Sequence, residues 1–392
     1  MADTSSLLHL LVPSLIFSTN IIFSAVLCGT ASAVSFGVNY GQIANNLPSP
    51  TRVSFLLRSL NVTRVKLYDA DPNVLRAFSY SPVHFIVGLG NEHLPNLTTD
   101  TLHAQRWIQL KLQPHLPQTR ITSITVGNEV FNTPQLIPYI LPAMQAVHSA
   151  LVNLGLDSQV SVTTAHSLTI LSTSSPPSSG AFRPELAQYL RPILDFLSAI
   201  NSAFLINAYP YFAYKDDPAQ VPLDYVLFRP NQGALDPFTG FTYDNMLYAQ
   251  VDAVYAAIKT LGHEDIEVKV SETGWPSRGD PDEPGATPEY AGVYIGNLFK
   301  RIAAGEGTPA RPDVPIDVYV FALFNENLKP GPASERNYGL YYPSGVAVYN
   351  FGLQGYLPQL TLSDSTANSV KVMGSLSNLF RLIALSLCAC IT

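Results

Sequence analysis

The chain has 392 residues, 47% hydrophobic and 13% charged, with 22 Lys and Arg against 29 Asp and Glu and a formal net charge of −7. Such apolar and aromatic content, with 20 Tyr and 19 Phe, excludes a disordered chain, and the acidic balance argues against a partner rich in phosphate, so no nucleic acid is expected. Three cysteines exclude a disulfide framework or a multi-cysteine zinc site.

Residues 7–28 are mostly apolar and are followed by Ala31, Ser32 and Ala33, which reads as a secretory signal peptide over 1–33 with cleavage after Ala33. Asp3 in a leading stretch without Lys or Arg departs from that pattern, and an uncleaved membrane anchor is the alternative. Asn61 (N-V-T) and Asn96 (N-L-T) are N-glycosylation sequons, in keeping with secretion.

Between residues 34 and 358, short β-rich runs alternate with helix-like stretches. The runs fall at 36–41, 64–69, 84–90, 121–130, 159–167, 204–212, 267–276 and 318–327. They are continuous apolar runs, as expected of parallel strands buried on both faces. Leu186, Leu190, Ile193, Leu194 and Leu197 recur at helical spacing within 183–200, as do Met246, Leu247, Val251, Val254 and Ile258 within 243–262, where Gly262 is the expected C-terminal cap. Eight strand–helix units predict an α/β fold, the (β/α)₈ TIM barrel. A doubly wound open sheet would call for a Gly-rich phosphate loop after the first strand, and G-V-N-Y-G-Q is not one. The stretches 213–241 and 328–350 read as small inserts after the sixth and eighth strands, and no linker divides the domain.

The last segment, 359–392, passes from a small and polar stretch at 363–369 to an apolar run at 382–391. This resembles a GPI-attachment signal, with a removed sorting propeptide as the competing reading. Cys28, Cys388 and Cys390 all lie in the two terminal segments, so removal of both leaves a mature protein without cysteine, stabilised by its core.

In a barrel of this kind, polar residues at the C-terminal strand ends face the catalytic mouth. Here those ends carry Asp69, Glu92, Glu129, Glu272 and Glu326, with Tyr40, Tyr68, Tyr209, Tyr211, Phe212, Trp275 and Phe324 beside them. Aromatic faces stack on the C–H faces of sugars, and carboxylates and amides bond the hydroxyls. Glycoside hydrolysis needs two carboxyl groups, one protonated and one ionised. No nucleophile elbow, P-loop or H-E-x-x-H zinc pair occurs, and His166 is the one histidine placed where it could face the mouth. Binding of a divalent metal by the acids is a weaker reading than a sugar, given the aromatics. Physical reasoning alone leaves open which two acids act, because strand-end acids outnumber the roles.

The motifs G-V-N-Y-G-Q (37–42), V-G-N-E-V (126–130), S-E-T-G-W-P (271–276) and F-N-E-N-L-K-P-G-P-x-S-E-R-N-Y-G-L (324–340) closely resemble glycoside hydrolase family 17, the plant-type endo-1,3-β-glucanases. The resemblance spans the whole presumed barrel. It implies a retaining mechanism, with Glu129 as acid/base and Glu272 as nucleophile, their carboxyls about 5–5.5 Å apart. Asn128 would bond the sugar 2-hydroxyl, and Glu326, Lys329 and Glu335 match further active-site positions. Tyr40, Tyr209, Phe212 and Trp275 are expected to line the groove. The implied substrate is a 1,3-β-glucan such as callose, with mixed-linkage 1,3;1,4-β-glucan, transglycosylation and non-catalytic glucan binding as alternatives. Neither cofactor nor metal is implied. A monomer is expected, secreted to the wall or held on the outer membrane face by the anchor.

Overall fold

The structure, a computed structural model, describes residues 36–100 and 102–359. Eight parallel strands close a barrel: β1 (Gly37–Asn39), β2 (Arg64–Lys66), β3 (His84–Leu89), β4 (Arg120–Asn128), β5 (Ser161–Ser167), β6 (Phe204–Asn207), β7 (Val268–Thr273) and β8 (Val318–Val320). Each strand pairs with its neighbours in sequence, and β8 closes on β1 with Gly37 opposite Tyr319 and Val38 opposite Val320. All eight of the predicted runs contain a strand. The expected signal, the GPI segment and the three cysteines lie outside the described residues.

The strands are shorter than the apolar runs that announced them. The sixth run ends as strand at Asn207, and a short helix begins at Pro210. Proline has no N–H for a ladder and a φ suited to the first helical position, so it converts the second half of Y-P-Y-F to helix.

Helices cover the outside: α1 (Pro50–Ser59), α2 (Pro72–Ala77), α3 (Leu94–Thr99), α4 (His103–Lys111), α5 (Ile140–Asn153), α6 (Pro184–Ala199), α7 (Pro210–Asp216), α8 (Leu223–Val226), α9 (Met246–Thr260) and α10 (Pro288–Ala304). In α6 the five leucine and isoleucine positions of the predicted stripe are all buried. α9 starts where the Asn245 side chain accepts from the Tyr248 N–H and ends before Gly262, whose φ of +98° suits glycine. Among the described residues, β8 is followed by a 3₁₀ turn, Ala333–Arg336, rather than by an α-helix, so the eighth unit departs from the expected strand–helix pattern.

The core is continuous from the barrel interior to the helix layer, with Val65, Phe85, Ile124, Val162, Ile206 and Val320 among its buried members. The insert after β6 holds α7, α8 and a two-stranded ladder of Ala234–Leu235 with Thr242–Tyr243. A second small ladder, Leu171–Thr173 with Ala181–Phe182, follows β5, where no insert is predicted. Among the described residues no helix is long and apolar enough to cross a membrane.

Candidate active site

The C-terminal end of β4 departs from regular strand geometry. Gly127 has φ +74°, and a Cβ there would lie 2.5 Å from Val130 and 3.0 Å from Asn91 Oδ1. Two residues on, Glu129 has φ +51°, a left-handed conformation that is uncommon and strained for a non-glycine residue. Asn91 secures the turn between them: its Oδ1 accepts from the Asn128 N–H at 2.8 Å and its Nδ2 donates to the Asn128 carbonyl at 3.0 Å. The Glu129 N–H donates to the Ala165 carbonyl of β5 at 2.8 Å. The carboxyl of Glu129 accepts from Asn207 Nδ2 at 2.8 Å and Asn132 Nδ2 at 3.2 Å, neutral amides both.

On β7 the register with β6 shifts between Val270 and Glu272, which lies opposite Asn207. Such an irregularity re-aims a side chain at a strand end. Glu272 is buried and its donors are of another kind. Oε1 accepts from Lys66 Nζ at 2.9 Å and from the Tyr68 hydroxyl at 2.7 Å; Oε2 accepts from the Tyr209 hydroxyl at 2.9 Å. Lys66 is itself buried at the end of β2, so an ammonium faces the carboxylate with little water to screen it.

These surroundings push the two carboxyls apart. Burial, and then the charge of Glu272, raise the Glu129 carboxyl above the ordinary glutamate range, against weaker lowering by Asn207 and Lys66. For Glu272, burial alone would raise it. The Lys66 charge and the hydrogen bonds from Lys66, Tyr68 and Tyr209 outweigh that and hold it below the ordinary range. Burial and Glu272 push the phenols of Tyr68 and Tyr209 far up, so both remain donors. One mouth thus holds an acid disposed to keep its proton and an acid disposed to lose it.

Both carboxyls line a cleft of about 450 Å³, with Asn128, Tyr209, Phe212, Glu326, Lys329 and Glu335 in its walls. Glu326 is buried, its Oε1 accepts from the Ile43 N–H at 2.8 Å, and burial raises its carboxyl. It braces the loop after β1, where a Cβ on Gly41 would lie 2.5 Å from its oxygens. Lys329 and Glu335 pair at 3.1 Å, and the Lys329 ammonium stands 4.2 Å from the Phe321 ring centre. Asn128 Oδ1 lies 3.4 Å from both Lys66 Nζ and Asn207 Nδ2, leaving its amide weakly held.

Other expectations need correction. Trp275 is wholly buried, donates to the Gly285 carbonyl at 2.8 Å and packs edge-on against Tyr211 at 5.1 Å, behind the cleft wall. Tyr40 is likewise buried, beside Phe324. Neither lines the groove, because each packs into the core against other aromatics. Phe212 is the cleft aromatic with open surface, at 39% exposure. Glu92 points away, its side chain 74% exposed beside His93. His166 is buried and stacked 4.6 Å from Phe204, and burial pushes its imidazole down to about 3.

The site also contains groups that the sequence reading did not single out, Lys66, Asn207, Phe321 and Tyr338, and Asn91, which stood in the sequence only as one of three strand-end Asn-Glu pairs. Among the four that were missed, only Lys66 carried a local signal, since a lysine inside a buried parallel strand requires a partner. The two sequons, Asn61 and Asn96, are exposed and lie away from the cleft.

A closed (β/α)₈ barrel with two unlike carboxyls in one aromatic cleft at its C-terminal mouth has the construction of a glycoside hydrolase. Comparison with known proteins makes this specific. Residues 36–353 match the model of glycosyl hydrolases family 17, and the chain belongs to that family. It is 65% identical to glucan endo-1,3-beta-glucosidase 14 of Arabidopsis thaliana, over 88% of each chain, and 57% identical to number 11 of that species, over 82% of this chain and 76% of the relative. Among solved structures it resembles CJP38, a beta-1,3-glucanase and allergen of Cryptomeria japonica pollen, at 39% identity and a TM-score of 0.78 over 82% of this chain and 99% of that one. A structure titled for two plant beta-glucan endohydrolases with distinct substrate specificities matches at 36% identity and a TM-score of 0.75, covering 80% of this chain and 99% of that one.

Proposed function

We propose that this protein hydrolyses internal 1,3-β-glucosidic bonds of a 1,3-β-glucan such as callose, with retention at the anomeric carbon. The observation that carries the mechanism is the opposite displacement of two carboxyls in one cleft. Glu272, ionised beside Lys66, attacks C1 while Glu129 gives its proton to the departing glycosidic oxygen; the C1–O bond breaks and a glycosyl ester forms on Glu272. Water then attacks C1 as Glu129, now a carboxylate, takes its proton, and the ester bond breaks to regenerate both groups. Asn128, lightly held, is free to bond the 2-hydroxyl, and Phe212 offers a face for a neighbouring ring. The curated names of the plant relatives support the 1,3-linked substrate. Mixed-linkage glucan is the second reading, favoured by the similarity to endohydrolases of distinct specificities.

Release of reducing ends from laminarin and from barley mixed-linkage glucan, measured side by side, decides between the two polymers. Glu272→Ala is expected to abolish release while the folded spectrum persists; retained turnover would reject the nucleophile. Binding of either polymer without cleavage by the wild type would instead support a glucan-binding protein. Secretion after removal of residues 1–33, glycans on Asn61 and Asn96, and a membrane anchor attached near residue 366 are part of the same proposal. Release from membranes by a phosphatidylinositol-specific phospholipase supports the anchor, and wholly soluble wall protein rejects it.

A further inference from the structure

Opposite the cleft, where the chain enters β2 and β3, lies a second cavity of about 390 Å³ lined by Phe55, Arg58, Asn61, Thr63, Tyr80 and Ser81 among others. Two features of it are costly in the bare protein. Tyr80 adopts φ +61°, which is strained for a bulky side chain, and the residue is 84% exposed. Phe55 is 40% exposed on the same cavity. Its lining also contains the sequon asparagine. Asn61 follows α1 in the left-handed conformation that asparagine tolerates, φ +55°. Its N–H donates to the Arg58 carbonyl, and the next N–H, of Val62, donates to the Leu57 carbonyl at 2.9 Å. This is a closed helix-terminal motif, so the attachment point has a fixed direction relative to the cavity.

We propose that this cavity is a binding site for the protein's own N-linked glycan, seating its first N-acetylglucosamine residues against Tyr80 and Phe55 from Asn61. Apolar sugar faces stack on aromatic faces, and Arg58 and Ser81 supply polar groups for hydroxyl and acetamido oxygens. The glycan covers the exposed rings and cross-links the end of α1 to the loop before β3, while remaining on the face away from the active site. Asn96 lies within α3, exposed and outside that lining, so a glycan there has no such seat. The proposal rests on the reading of the chain as a secreted glycoprotein.

The test is a four-way comparison of full chains secreted from yeast: wild type, Thr63→Ala, Tyr80→Asn and the double variant. Thr63→Ala removes the sequon and leaves Asn61 in place; asparagine at 80 tolerates the positive φ and creates no sequon before Pro82. Mass spectrometry of the wild type reads occupancy at Asn61. The expected result is an occupied Asn61, a melting temperature lowered by about 2 °C in Thr63→Ala, and no such loss when Tyr80 is already replaced. Laminarin hydrolysis stays unchanged throughout. An unmodified Asn61 overturns the glycosylation reading and the proposal together. Occupancy with an equal loss in both backgrounds, or with no loss, overturns the cradle alone.

Discussion

At the scale of single residues, the chemistry follows from which donors each carboxyl receives. Glu272 has an ammonium and two phenols, whereas Glu129 has two amides. The proposed mechanism needs Glu272 ionised and Glu129 protonated, so it predicts a bell-shaped pH–rate profile whose acid limb belongs to Glu272 and whose alkaline limb belongs to Glu129. Lys66→Met removes the charge and hydrogen bond that lower Glu272 and a weaker lowering of Glu129, so both limbs move to higher pH, the acid limb further. An acid limb that stayed in place would show that Lys66 does not set Glu272's ionisation. The same shifts act on stability with opposite signs. The lowered Glu272 contributes stability above its unfolded value, lost as pH falls through its folded value. The raised Glu129 contributes below its unfolded value, and that contribution is lost as pH rises through its folded one. Asn91 never meets the carboxyls, yet both its amide atoms hold the Asn128 peptide. Asn91→Asp replaces the donor to that carbonyl with a charge. A kcat about 10- to 100-fold lower with KM little changed is expected, since a small misplacement of a catalytic group has that consequence. A fall in melting temperature alone, with kcat intact, would make Asn91 merely structural.

At the scale of elements, the loops after β7 and β8 hold one wall of the cleft together. Glu283 accepts from Ser334 Oγ at 2.5 Å and from the N–H groups of Ser334 and Asp280 at 3.1 and 2.8 Å, while Asp280 accepts from the Ala333 N–H at 2.8 Å. Ser334 is fully buried and adjoins Glu335, which reaches the cleft and pairs with Lys329. The turn that takes the place of an eighth helix is thus held by carboxylates of the preceding loop. Glu283→Ala leaves buried Ser334 groups without partners, at a cost of about 1–3 kcal/mol. A raised KM for laminarin, with new proteolytic cleavage near residues 329–336, is the expected outcome; an unchanged KM would place this wall outside substrate binding. Sequence patterning located the strands and the α6 and α9 faces, because burial of one face imposes a period on the residues. It overran the end of β6, because an aromatic run does not state where the pleat stops, whereas Pro210 does.

At the scale of the whole molecule, stability rests on one core without any cysteine in its described part. Trp275 belongs to that core, among Tyr211, Tyr214 and Tyr294. Trp275→Ala is therefore expected to destabilise by about 3–5 kcal/mol in denaturant titration, the range for removing a buried tryptophan. A small stability loss coupled to a large KM effect would return Trp275 to the groove. Phe212→Ala is the converse case, expected to raise KM with little change in the unfolding midpoint, because the ring is already part exposed.

The barrel, the order of its strands and the set of strand-end acids were legible in the chain, because parallel strands buried on both faces leave long apolar runs with those acids at their ends; only the motif resemblance singled out Glu129 and Glu272 among them. Tertiary structure decided which aromatics line the cleft and which carboxyl its surroundings push up. Trp275 and Phe212 are both aromatic residues near strand ends, and only packing buries one and opens the other. Lys66 lies 206 positions from Glu272 along the chain. No local pattern records that meeting; closure of the barrel brings β2 across from β7 and places the ammonium against the carboxylate.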